Sequence, residues 1–127
     1  MPERLPYKYA VIRVVPRVDR DEFVNAGVIV FSPQQRFLGA KVKLSEARLR
    51  ALWPDSEIGT IRKHLEAIRK VSAGSEDGGT IAKLSLSERF YWLTSPRSSM
   101  IQVSPVRVGL TDQPAAELER LTDELVS

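Results

Sequence analysis

Between Tyr7 and Leu44, three runs rich in β-branched and aromatic residues follow one another, separated by short polar connections. Strands joined this closely pair antiparallel, because a parallel pair needs a crossover of a dozen or more residues. The first run, Tyr7 to Val15, stops at Pro16. Alternation puts Tyr7, Tyr9, Val11, Arg13 and Val15 on one face and Ala10, Ile12 and Val14 on the other, which is the cleaner core face. The second run spans Asn25 to Phe31, and Pro33 suits the second position of the turn that follows. In the third, about Arg36 to Leu44, Leu38, Ala40, Val42 and Leu44 alternate with Phe37, Gly39, Lys41 and Lys43, so one buried and one wet face are expected.

Helical signals come next. Ser45 is placed to cap Glu46–Trp53, which Pro54 ends. From Glu57 to about Ser72, Ile58, Ile61, Leu65 and Ile68 recur at helical spacing, with Arg62, Glu66 and Lys70 on the polar side. Residues 73–79 read as a flexible, Gly-rich connection. Ser87 is read as the cap of a short helix over Glu88–Leu93. Ser99–Val103 reads as a strand able to join the meander as a fourth member, and the chain stays extended through Val106 and Val108. Asp112 is read as the cap of a last helix, Pro114–Val126, with Leu118, Leu121 and Leu125 as its buried stripe. The expectation is one α+β domain over residues 1–127 with a flexible loop at about 73–80. Its antiparallel sheet has three to four strands in the order β-β-β-α-α-(α)-β-α, with helices packed on one face.

Composition removes several chemistries. The chain has no cysteine and one histidine, His64. Disulfides, thiolate metal sites and a cysteine nucleophile are therefore excluded, and any triad has a single imidazole to draw on. His64 lies beside the apolar stripe of the longer helix and reads as a boundary residue. No run approaches the roughly 20 apolar residues of a membrane helix, and the first residues carry no apolar leader, so a cytoplasmic chain is expected. The net charge of +3 is uneven: residues 1–110 hold 18 Lys/Arg against 11 Asp/Glu, and residues 111–127 hold one Arg against five acids. The acidic tail either docks on the basic body or presents a solvated helix face, the second being the commoner outcome.

Local motifs mostly have plain structural readings. The Gly74–Gly79 loop lacks the Gly-Lys-Ser/Thr ending of a phosphate loop. Asp19, Asp21 and Glu22 surround Arg20 and lack the other ligands of a calcium loop. Arg62, Lys63, Arg69 and Lys70 are interleaved with Glu66. Of Phe90, Tyr91 and Trp92, two are expected in the core and one at its rim, the alternative being an aromatic anchor for a partner.

Glu22-Phe23-Val24-Asn25-Ala26-Gly27-Val28 is the most distinctive segment. A glycine inside a strand marks a bulge or a close approach. Glu22 and Asn25 are placed to meet Arg13 on the neighbouring strand or Arg97 from the second half. The candidate binding cluster is Arg13, Arg20, Glu22, Asn25, Arg97 and Gln102, read either as a network that fixes the register or as a ligand site. No catalytic set, metal site or cofactor is expected.

Tyr9-Ala-Val-Ile-Arg-Val-Val-Pro16, Glu22–Val28, Arg89-Phe90, Trp92-Leu93, Pro96-Arg97-Ser98, Gln102, Ser104-Pro105 and Gly109-Leu110 together resemble the bacterial domain-of-unknown-function 3037 family. The resemblance spans nearly the whole chain. It implies a bacterial protein without an established activity and a kinase-like partner of the HipA type. It also implies histidine at position 107, where this chain has Arg107. Three functions remain open. The leading one is a non-enzymatic protein-interaction module whose arginines take an acidic or phosphate-bearing group. The second is a phosphate-ester nuclease or transferase with Glu22 and arginines in a pocket. The third is a nucleic-acid-binding module, which requires Lys41, Lys43, Arg62 and Lys63 to share one surface. The oligomeric state is not fixed by the sequence.

Overall fold

In the computed structural model, which describes residues 3–95 and 100–126, the first strand is the axis of the sheet. β1 (Leu5–Val14) pairs antiparallel with β2 (Val24–Ser32), and β2 with β3 (Phe37–Val42). Two short antiparallel strands share the other side of β1. β4 (Ile101–Val103) lies against Ile12–Val14, and β5 (Arg107–Thr111) against Leu5–Tyr9. Between them Ser104 grips Val11: its hydroxyl accepts from the Val11 N–H at 2.8 Å, and its own N–H donates to the Val11 carbonyl at 2.9 Å. The α+β class and the antiparallel sheet are as expected. The strand count reaches five because the extended run after Val106 also pairs.

Four helices follow from the sequence signals: α1 (Glu46–Leu52), α2 (Ile58–Ala73), α3 (Leu86–Thr94) and α4 (Pro114–Leu125). The Ser45 hydroxyl accepts from the Arg48 N–H, the expected cap of α1. α3 begins earlier than expected. Its cap is Ser85, not Ser87: Ser85 Oγ accepts from the Glu88 N–H at 3.2 Å and donates to the Glu88 carboxylate at 2.8 Å. α4 starts from Gln113 without a side-chain cap, so Asp112 does not cap it; Pro114 supplies the first turn. The loop expected at about 73–80 carries a 3-10 turn at Glu76–Gly78, and a second follows it at Ile81–Lys83. Lys70 pairs with Asp77 at 2.8 Å and, with Ser75, holds its carboxyl at about 2.

The central strands β1 and β2 are covered on both faces. Ile12, Val14, Ile29 and Phe31 meet Leu49 of α1, Ile61, Leu65 and Ile68 of α2 and Phe90 of α3 on one side. Their sequence neighbours Val28 and Val30, with Tyr7, meet Leu118, Leu121 and Val126 on the other. Successive strand residues point oppositely, so α4 lies across the sheet from α1–α3. The face of β3 expected to be wet is thus covered: Phe37 packs into the α4 core and Lys41 pairs with Glu119. The acidic tail docks through its leucines. Among the described residues no helix is long and apolar enough to cross a membrane.

Candidate functional site

β1 and β2 keep simple register from Lys8↔Phe31 to Ile12↔Gly27, and then Arg13 pairs with Asn25. Ala26 has no opposite residue, so it is the extra residue of a β-bulge. Gly27 beside it is required: a Cβ would lie 2.6 Å from the Lys41 carbonyl oxygen. Both readings of a glycine within a strand, bulge and close approach, therefore hold here. The bulge moves Asn25 opposite Arg13, where an unbroken register would put Ala26. Across the other edge of β1, Arg13 pairs with Gln102 of β4. Asn25, Arg13 and Gln102 thus form one cross-strand row on three adjacent strands, on the face that carries Tyr7 and α4.

The row sits where α4 ends. Asn25 Nδ2 donates to the Leu125 carbonyl at 3.0 Å, satisfying one of the free acceptors of the last helical turn. That bond leaves Asn25 Oδ1 facing away, buried and without a hydrogen-bond partner among the described residues. Arg13 Nε is in the same condition. The Arg13 guanidinium lies 4.3 Å from the centre of the Phe23 ring, and Phe23 is itself 43% exposed. An orphaned donor and an orphaned acceptor therefore sit on directly paired residues. Leaving each unmade costs about 1–3 kcal/mol.

An open groove of about 370 Å³ begins at this point, lined by Phe23, Val24 and Asn25 from the sheet and Arg48, Ala51 and Leu52 from α1. A second, of about 250 Å³, runs from Asn25 past Lys43 and Ser45 to Val126. Among the described residues no carboxylate pairs with Arg13, Arg48 or Lys43. Asn25 thus lies opposite Arg13 and shares one groove with Arg48 and the other with Lys43, none of the three paired with a carboxylate among the described residues.

The other members of the expected cluster go elsewhere. Glu22 accepts from Arg20 Nε at 2.6 Å in an exposed local pair and meets neither Arg13 nor Asn25. Arg17 holds Asp19 the same way at 2.8 Å and lowers its carboxyl pKa. Arg97 lies outside the described residues. Phe23 and Arg48 are the residues that sequence reasoning missed. An aromatic residue inside the polar stretch before β2 was the signal for the first, and nothing local marks the second.

Other expectations change as well. His64 is exposed on α2 rather than at its boundary. Only Phe90 of the aromatic trio is buried, with Tyr91 and Trp92 outside, because a helix this short turns one of three consecutive residues fully inward. Lys41 binds Glu119 on the α4 side, whereas Arg62 binds Glu46 on the α1–α2 side, so the proposed basic surface is split between two faces.

Against known proteins, a family model described as "Protein of unknown function (DUF3037)" matches residues 9–126. No curated protein and no solved structure matches the chain.

Proposed function

We propose that this chain, which belongs to the DUF3037 family of proteins of unknown function, is a binding module that takes an acidic segment of a partner protein at the Arg13 end of its sheet. The observation that carries the reading is the paired deficit on Arg13 and Asn25: a guanidinium Nε without an acceptor beside an amide oxygen without a donor. A carboxylate or phosphate alone answers only the first. A peptide segment answers both, since a backbone N–H serves Asn25 while an acidic side chain serves Arg13 or Arg48. Phe23, Ala51 and Leu52 give the groove apolar contact for neighbouring residues. The kinase-like protein implied by the family resemblance is one partner that would carry such a segment, in a bacterial cytoplasm.

The phosphate-ester reading needs Glu22 in a pocket with an arginine, and Glu22 is occupied at the surface by Arg20. The nucleic-acid reading needs a shared basic face, which Lys41 and Arg62 do not provide.

Titration of ¹⁵N-labelled protein with a Glu/Phe-rich peptide, and separately with inorganic phosphate, tests the proposal. The peptide is expected to shift the Arg13 Nε–H resonance, and Arg13→Gln to weaken binding by about tenfold or more, the usual worth of a charge-assisted bond. Phosphate is expected to bind far more weakly. Peptide binding that survives Arg13→Gln unchanged, or no shift with either probe, overturns the reading.

A further inference from the structure

The two edges of the sheet are built differently. β3 has Lys41 and Lys43 on it or next to it, and both α2 and α4 pack against it. Charged residues and flanking helices are the usual guards of a free edge. β5 has neither. Among the described residues nothing pairs with its outer side. Its central residues, Val108-Gly109-Leu110, carry no charge, and Val108 and Leu110 are 68% and 57% exposed.

These side chains form part of a larger apolar surface. Val108 pairs with Lys8, and the Lys8 ammonium lies 5.6 Å from the centre of the Tyr91 ring. Tyr91 is 58% exposed, and Val106, just before β5, is 42% exposed. Val108, Leu110 and Tyr91 thus leave apolar surface in solvent around Lys8 at this corner.

We infer that β5 pairs with β5 of a second copy, antiparallel about a two-fold axis through Gly109, joining two sheets into one. The sequence of the strand is what commits the occupant. In that register Val108 faces Leu110 of the second copy and Leu110 faces its Val108, so the four side chains close one apolar patch, with Tyr91 of each copy beside it. Arg107 faces Thr111 of the second copy, next to Asp112. Neither Arg107 nor Asp112 has an ion-pair partner among the described residues. With Arg107 at the start of the strand and Asp112 just past its end, an antiparallel copy of the same strand sets each charge near its opposite. One two-fold operation satisfies both ends at once, as an isologous interface requires.

Sedimentation velocity on the full chain tests the inference at about 100 μM, where a micromolar association is well populated. The expected species has twice the 14.3 kDa mass of the chain. Leu110→Lys, at an exposed position, is expected to weaken association by about tenfold or more while leaving the far-ultraviolet spectrum unchanged. Arg107→Asp is expected to weaken it too, and Arg107→Asp combined with Asp112→Arg to restore it, because the swap rebuilds the pairing between copies. A monomer at that concentration overturns the inference and leaves the edge to a foreign strand. A dimer indifferent to Leu110→Lys, or a charge swap without rescue, overturns it as well by placing the interface elsewhere.

Discussion

The carbonyls of Val71 and Ser72, near the end of α2, are both served by Nη1 of Arg89, at 3.0 and 3.1 Å. The guanidinium reaches them because Gly74 turns left-handed at φ 68° and leaves space; a Cβ there would lie 2.8 Å from Nη1. A cation at a helix C-terminus also meets the negative end of its dipole. Arg89→Met is therefore expected to lower the unfolding free energy by about 2–4 kcal/mol, with Arg89→Lys recovering part of it. Urea titration of the three proteins measures this, and a loss below about 0.5 kcal/mol would remove Arg89 from the role. The same scale shows why only part of the binding site was legible. Arg13 and Asn25 could be read from strand alternation and Gly27, because both are properties of backbone geometry. Glu22 could not, because in an exposed turn an arginine two residues away needs almost no loop closure to pair with it. Arg48 arrives from another element and leaves no local mark.

Ser85-Leu-Ser-Glu88 has the spacing of a capping box, and that spacing decides between two candidate serines two residues apart. Ser85→Ala is expected to cost about 1 kcal/mol, and Ser87→Ala, on an exposed position of the helix, less than about 0.5 kcal/mol. Thermal or denaturant melts of the two variants compare them directly. A larger loss in Ser87→Ala would mean that Ser87, not Ser85, caps α3, and equal losses would mean that neither serine alone sets its start. The four helices and the first four strands were legible because periodicity and local spacing mark them. What an element packs against was not. The alternation of β3 predicts a wet face, but α4, more than 70 residues later in the chain, covers it with Leu118 and Leu121. Each buried leucine is worth about 1.5–3 kcal/mol, which outweighs the exposed-face preference of a few polar residues. Likewise the brief extended run after Val106 becomes a strand only because β1 has an unoccupied length there.

Across the whole molecule, the first strand and the last helix are tied by Tyr7, whose hydroxyl donates to Glu117 Oε2 at 2.8 Å. Burial first, and the adjacent carboxylate second, push the Tyr7 phenol up to about 12 from 10.0. The folded chain thus holds this proton more tightly than the unfolded one. The stabilisation is complete below pH 10 and is lost as the pH climbs from 10 to about 12. Glu117 has the opposite sense. Arg120, then Tyr7, lower its carboxyl pKa, so its contribution is present above the ordinary carboxyl range and lost on acidification. Urea midpoints against pH are expected to fall less steeply above pH 10 in Tyr7→Phe than in the native chain; parallel curves would show that the tie is energetically silent. The central place of β1 has a further consequence, in time rather than in space. This strand is synthesised well before the partners of one of its edges, residues 101–111, and before the helix that seals its second face, residues 114–125. Until then only the β1–β2–β3 side can close, and the nascent chain carries an unfinished apolar surface through most of its synthesis. The side of β1 that residues 101–125 close is thus the part of the core left open longest during synthesis.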